Sequence, residues 1–205
     1  MDSRPNVRNR CRKWRPLIII RALTTAIAVG GNLAAQTNNS VEYRVLATTK
    51  TSAMEKELNG AAEEGFRFQS AMGGETSSGG NEVVIVMSRA AESKGRFSYK
   101  LIAASRTPTM ERELQDAADA GFEFRTQTVF KSVFGGDEVI CILERDKDAP
   151  AQKTQYKLLP TGKASALQKD LQDVGAAGYQ MIGVTVAKTA IGGKEVVAIL
   201  RRPRP

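Results

Sequence analysis

Not one of the 205 residues is histidine, which removes the ordinary general base near neutral pH, the commonest metal ligand and every Ser-His or Cys-His nucleophile pair. Cysteine is nearly as scarce. Cys11 and Cys141 are too few for a disulfide framework or a zinc site. Aromatic residues make up only 6% of the chain. What is left, 41% hydrophobic and 25% charged, describes a globular chain rather than a disordered, collagenous or multi-span one. Most familiar enzyme classes are disfavoured by composition alone, and no cofactor or metal is implied.

Excess acid is also missing: the formal charge is +8, which invites a nucleic-acid reading until its distribution is examined. Residues 1 to 35 hold seven basic side chains (Arg4, Arg8, Arg10, Arg12, Lys13, Arg15, Arg21) against Asp2 alone, so the other 23 basic and 21 acidic residues nearly cancel. The basicity belongs to the leader, and no nucleic-acid partner is expected. That leader runs from basic residues through Leu17-Ile18-Ile19-Ile20 and Arg21 to the small, apolar Ala22–Gly31 and then Asn32-Leu33-Ala34-Ala35-Gln36. Those are the parts of a secretory signal. Cleavage after Ala35 and a periplasmic or extracellular mature protein are expected, with an uncleaved N-terminal anchor or a cytoplasmic protein bearing a basic tail as the alternatives. The apolar segment falls short of the about 20 residues that a permanent membrane span needs. Export would discard Cys11.

The mature chain matches itself. Tyr43, Leu58, Gly65, Gly79-Gly80, Glu82 and Arg89 recur 56 residues later as Tyr99, Leu114, Gly121, Gly135-Gly136, Glu138 and Arg145. A further shift of 57 gives Tyr156, Leu171, Gly178, Gly192-Gly193, Glu195 and Arg202. Three repeats are therefore expected at 41–89, 97–145 and 154–202, joined by the polar connectors Ala90–Arg96 and Asp146–Lys153.

Hydrophobic periodicity changes in the same order within each copy. An extended segment comes first (Glu42–Ala47, Ser98–Ala103, Gln155–Leu159). A helix of about three turns follows. Ser52 with Glu55 and Ser165 with Gln168 have capping-box spacing, and Thr107-Pro108 reads as N-cap then first-turn proline. The helical stripe is Met54, Leu58, Ala61, Ala62, repeated as Met110, Leu114, Ala117, Ala118 and as Leu167, Leu171, Val174, Gly175. Gly65, Gly121 and Gly178 stand where a helix ends on positive φ. Alternation then returns in Phe66–Gln69 and Phe122–Arg125, as in a strand with one wet face. The third strand (Val83–Met87, Val139–Leu143, Val196–Leu200) is apolar throughout, so both its faces must be covered and it should be central. The fold class is thus α+β: three tandem β-α-β-β units, each a three-stranded antiparallel or mixed sheet with one helix, packed together. One helix covers one face of that central strand. The other face needs a sister copy or self-association.

These residues also carry a resemblance. Tyr-basic openings (Tyr43-Arg44, Tyr99-Lys100, Tyr156-Lys157), Glu57-Leu58-Asn59, Gly65-Phe66 and closing Arg89 make each copy similar to the small bacterial domain family catalogued as domain of unknown function 4177. Phe66, Phe122 and Tyr179 stand where that family typically carries Trp. The resemblance implies a compact β-α-β-β fold and no assigned chemistry.

Candidate sites are correspondingly thin. Glu82, Glu138 and Glu195 are either three carboxylates converging on a pseudo-symmetry axis or strand-end residues that keep hairpins soluble. Arg89, Arg145 and Arg202 are either an anion-binding ring or strand-end arginines paired with a nearby Glu. Tyr43, Tyr99 and Tyr156 share a strand face with Val45, Leu101 and Leu158 and read as edge-of-core residues before ligand platforms. Cys141 in an all-apolar strand reads as a buried inert thiol. The Gly73–Gly80 stretch lacks the Lys-Ser/Thr and helix of a phosphate loop and reads as a flexible hairpin loop. Phe130, Val133 and Phe134 are either packed on a sister copy or an exposed contact patch. The sequence favours an exported, non-enzymatic scaffold that binds an unidentified protein or small ligand, or itself. The alternative is an enzyme with a carboxylate, Arg and Tyr site at the repeat interfaces.

Overall fold

The computed structural model describes residues 40–77, 80–91, 93–131, 137–188 and 193–204; the leader, with its expected cleavage point, lies outside them. Each repeat becomes a strand, a helix and two further strands. The first contains β1 (Val41–Thr48), α1 (Thr51–Glu63), β2 (Arg67–Thr76) and β3 (Gly80–Ala90). The second contains β4 (Phe97–Ala104), α2 (Thr107–Asp119), β5 (Glu123–Lys131) and β6 (Asp137–Asp146). The third contains β7 (Thr154–Thr161), α3 (Ala164–Ala176), β8 (Gln180–Lys188) and β9 (Lys194–Pro203). The three sheets have the orders β1-β3-β2, β4-β6-β5 and β7-β9-β8. Every described pairing is antiparallel, so the mixed option falls away, and the all-apolar strand is central in each sheet.

Local chemistry explains the boundaries, with two corrections. The first and third helices begin one residue before their expected caps Ser52 and Ser165, the second begins at its expected cap Thr107, and Lys50, Arg106 and Lys163 hold the cap positions without a side-chain bond. The turn into the helix is instead made by a threonine two residues upstream. Thr48 and Thr161 accept the amides of Lys50 and Lys163 at 3.2 Å, which offers those backbones an alternative to helix. At the far end Gly65, Gly121 and Gly178 have φ of 91°, 84° and 82°, as the helix ends required. The Gly73–Gly80 stretch is not all loop: Gly73–Thr76 pair with Val83–Gly80 as the end of the β2–β3 ladder. Its glycine at 73 answers to packing, since a Cβ there would lie 2.5 Å from the Val129 carbonyl oxygen.

The register gives every sheet an inner face, toward its own helix, and an outer one. In the first sheet Val83, Ile85 and Met87 point inward, while Val84, Val86 and their ladder partners Met72, Val45 and Ser70 point outward. The helix does not lie on its own sheet alone. The α1 helix packs more extensively on β4 of the next repeat than on β1, and α2 more on β7 than on β4. One core joins Met54, Leu58 and the first sheet's inner face to Tyr99, Ile140 and Ile142 on the outer face of the second. The other joins Met110, Leu114, Val139, Cys141 and Leu143 to Tyr156, Leu158, Val197 and Ile199 of the third. The order through the stack is therefore sheet, helix, sheet, helix, sheet, helix. Two-sided burial of the central strand holds for Val139–Leu143 and Val197–Leu200. It fails in the first sheet, where Val84 and Val86 are half-buried, because among the described residues no helix lies over its outer face.

Candidate functional site

The two internal seams are built the same way, and their parts show what the repeated polar residues do. In the first seam the Asn59 amide clamps the β4 backbone: Nδ2 donates to the Tyr99 carbonyl and Oδ1 accepts the Tyr99 amide, both at 2.9 Å. Glu55 accepts the Leu101 amide at 2.9 Å. In the second seam Gln115, which occupies the position of Asn59, donates to the Thr154 carbonyl at 3.2 Å and accepts the Tyr156 amide at 3.1 Å. These groups satisfy an edge strand that has no ladder partner on that side. The tyrosine reaches back across each seam: Tyr99 Oη accepts the Phe68 amide at 2.8 Å and Tyr156 Oη accepts the Phe124 amide at 2.9 Å. Both amides sit at β-bulges, between Phe68 and Ser70 and between Phe124 and Thr126, where the ladder leaves a donor over.

Tyr99 and Tyr156 are thus seam residues, 2% and 4% exposed, and burial pushes both hydroxyl pKa values up. Tyr43, expected to share their setting, is 67% exposed; among the described residues no helix lies over the outer face of β1. The arginines form no ring. Arg89 pairs with Glu42 at 2.8 Å, donates to the Glu64 carbonyl at 2.9 Å and stacks 4.6 Å from the Phe66 ring centroid. Arg202 repeats this on the Ala177 carbonyl at 2.9 Å and the Tyr179 ring at 4.5 Å. Each caps its own helix C-terminus, where a cation is favoured. Arg145 is exposed beside Gly121. The carboxylates do not converge either: Glu82 accepts from Thr76, Glu195 accepts from Thr107 at 2.6 Å, and Glu138 lies opposite Phe130 on the β5–β6 ladder. Among the described residues no group of three or more Cys, Asp and Glu is placed to hold a metal ion. Phe130 is buried in the first seam; Val133 and Phe134 lie outside the described residues.

Cys141 is fully buried, 3.9 Å from Met110 Sδ, and burial pushes its thiol up to about 12. The residue that sequence reasoning passed over is Glu144. It is 3% exposed and holds Arg67 at 2.9 Å, Arg125, and the Tyr99 hydroxyl at 2.8 Å. A carboxylate, two arginines and a tyrosine at a repeat interface is the composition an interface enzyme would need. Here both carboxylate oxygens are engaged, Oε1 by the two arginines and Oε2 by Tyr99 and, at 3.3 Å, by Arg67 Nε, so the cluster ties β2, β4, β5 and β6 together across the first seam.

The second seam is more open than the first. Gly73 N–H donates to Thr128 Oγ1 at 2.7 Å across the first, but the second carries Val129 where the first has Gly73. Thr185, which occupies the position of Thr128, is left with its buried hydroxyl unpartnered. A shallow groove of about 360 Å³ follows, lined by Gln127, Val129, Val184 and Thr185 among others. A second groove of about 420 Å³ lies beside Glu123, Lys153, Gln180 and Arg201. Its other arginines are committed: Arg202 as above and Arg204 to Asp119 at 3.0 Å.

The largest unexplained feature is at the ends. Eight large hydrophobic side chains are exposed among the described residues. Val41, Tyr43, Val45 and Met72 lie on the outer face of the first sheet, and Met181, Val184 and Val186 on the inner face of the third. Val129 lies on the second sheet at the second seam, in the groove that Val184 and Val186 also border. The third helical stripe, expected to be core, is the other surprise. Leu167, Leu171 and Val174 are only half-buried and Gly175 is exposed, whereas the equivalent stripes of α1 and α2 are buried. Leu167, Gln168, Leu171 and Gln172 line a groove of about 430 Å³ on that helix. No helix of the described residues is long and apolar enough to cross a membrane. No protein-family model, curated protein or solved structure matches the chain.

Proposed function

We propose that this chain is a non-enzymatic scaffold, exported by its basic-apolar leader, that works by binding through the two bare ends of its stack. One observation carries this reading: seven of the eight exposed large hydrophobic residues fall on the outer face of the first sheet and the inner face of the third. Concentrated apolar surface of that kind marks an interaction site. The repeated polar residues offer no competing chemistry, because Tyr99, Tyr156, Arg89 and Arg202 are spent on seams and helix ends. The near-neutral mature sequence leaves little for nucleic acid to recognise. The resemblance to the domain of unknown function 4177 family stays part of this proposal.

Site-specific photo-crosslinking in the producing cells tests it. A photoreactive side chain at Tyr43, Met72 or Leu171 should yield a crosslinked protein band, and one at the connector residue Lys147 should not. Equal labelling at all four positions, or none at any, would overturn the reading.

A further inference from the structure

We infer that the partner of each bare end is the opposite end of a second copy, so that the chain assembles head to tail. This rests on the binding reading above and names its partner. The argument is one of continuity. The contact of a helix and inner sheet face with the outer face of the next sheet occurs twice inside the chain, and the chain ends carry the two halves of a third.

The halves match position by position. Leu171 stands where Leu58 and Leu114 fill the two seams. Gln172 stands where Asn59 and Gln115 clamp the backbone of the next tyrosine strand. The equivalent backbone on a second copy is that of Tyr43, on a strand paired on one edge only. Gln168 stands where Glu55 takes the Leu101 amide, and the equivalent amide is that of Val45. The third sheet repeats the bulge, between Met181 and Gly183. The amides at the first two bulges each donate to a tyrosine hydroxyl. Tyr43 is the one repeated tyrosine not already used in this way, and its side chain is exposed. Val184 and Val186 correspond to Ala71 and Gly73, which approach β5 in the first seam, and Met72 corresponds to Thr128 on the receiving side. Charge presents no obstacle. The positions of Arg67 and Glu144, a buried ion pair in the first seam, are filled at the ends by Gln180 and Ser88. A contact between unlike surfaces is heterologous, and it propagates into an open filament unless the rotation per copy closes a ring.

The test uses the full chain and two variants at exposed or half-exposed positions. Val45→Arg blocks the sheet end and leaves the helix end intact; Leu171→Arg does the reverse. In sedimentation velocity the weight-average mass of the wild type should climb past that of a dimer with concentration. Each variant alone should stay at the monomer mass. An equimolar mixture should shift to twice that mass and stop there, because each dimer is capped at both ends. The mixture also guards against misfolding, since an unfolded variant cannot rescue its counterpart. A wild type that stays monomeric at every concentration would overturn the inference, whether residues 1–39 or another protein cover the ends. Dimers that survive Leu171→Arg but not Val45→Arg would overturn it in favour of a sheet-to-sheet contact. If the crosslinks described above form to a different protein while the chain stays monomeric, the binding reading stands and this inference falls.

Discussion

The strongest quantitative consequence of the stack concerns adjacent residues of one strand type in different layers. Ile142 on β6 is fully buried and points into the first seam, in one core with Met54 and Leu58. Ile142→Ala removes three carbons, worth about 0.8 kcal/mol each in transfer, or about 2.4 kcal/mol. A cavity term is added because helix and sheet wall the site on both sides, bringing the loss to about 3–4 kcal/mol. Leu143 on the other face is equally buried and should cost as much. In the first layer the same pair of faces behaves differently. Met87, which corresponds to Leu143, is fully buried, and Met87→Ala should cost about 2–5 kcal/mol. Val86, which corresponds to Ile142, is half-buried on the bare outer face. Val86→Ala removes two carbons that are already partly wet, a loss of about 0.5–1 kcal/mol. Urea denaturation of the four variants, in dilute solution where the ends are free, measures this as shifts in midpoint at constant slope. Three large shifts and one small one are expected. A Val86→Ala loss equal to that of Ile142→Ala would refute the stacking order, since it would require something to cover the first sheet within the monomer.

Tyr99→Phe removes a donor to Glu144 and an acceptor for the Phe68 amide and should cost about 1–3 kcal/mol; Tyr43→Phe, on an exposed ring, should stay within about 0.5 kcal/mol. Gly73→Ala forces a Cβ to 2.5 Å from the Val129 carbonyl oxygen and should cost about 1–3 kcal/mol, whereas Gly74→Ala meets open space and should be nearly neutral in the same thermal melt. The Arg96 guanidinium, by hydrogen bonding, holds the Asp146 carboxyl down at about 2 against an ordinary 3.8. A depressed folded value stabilises above the ordinary one and is lost as pH falls through the folded one. The stability advantage of the wild type over Asp146→Asn should therefore shrink between pH 3.8 and about 2, and an advantage that grows there would contradict the pairing. Protein recovered from cells should begin at Gln36 or a neighbour, and residues 36–205 should leave a heparin column at lower salt than the full chain. Intact Met1 in the cytosol, or equal retention, would count against the reading of the leader.

Much of this architecture is legible in the chain because each unit announces its elements twice over, by period and by punctuation. A stripe at Met54, Leu58, Ala61 and Ala62 specifies a helix with one apolar face, and Gly65 specifies where it stops. What the stripe does not name is the surface it meets. The same four residues would serve a helix lying only on its own sheet, so the leaning of α1 onto β4 had no signature of its own. The half-buried third stripe follows from that gap, since Leu167 and Leu171 look like core until it is known that the described residues hold no fourth sheet to receive them. Glu144 was passed over because its counterparts are Ser88 and Arg201, and a search for repeated polar residues skips a position where the repeat breaks. The available signal was a charge directly abutting the apolar run Val139–Leu143. Gly73 misled in the opposite direction: a glycine cluster before a hairpin reads as slack chain, when one of the glycines was there to let a neighbouring strand approach.

The helix that closes each layer rests on a strand that is made after it, so synthesis on the ribosome always runs one step behind its own needs. When α1 has emerged, Leu58 waits for β4. When α2 has emerged, Leu114 waits for β7. Every partial product of translation therefore presents the same sticky helical surface at its growing end, and each is relieved by the next fifty or so residues. Among the described residues no later strand reaches the last helix, and the folded chain keeps there, until a second copy covers it, the surface that at earlier lengths existed only in passing.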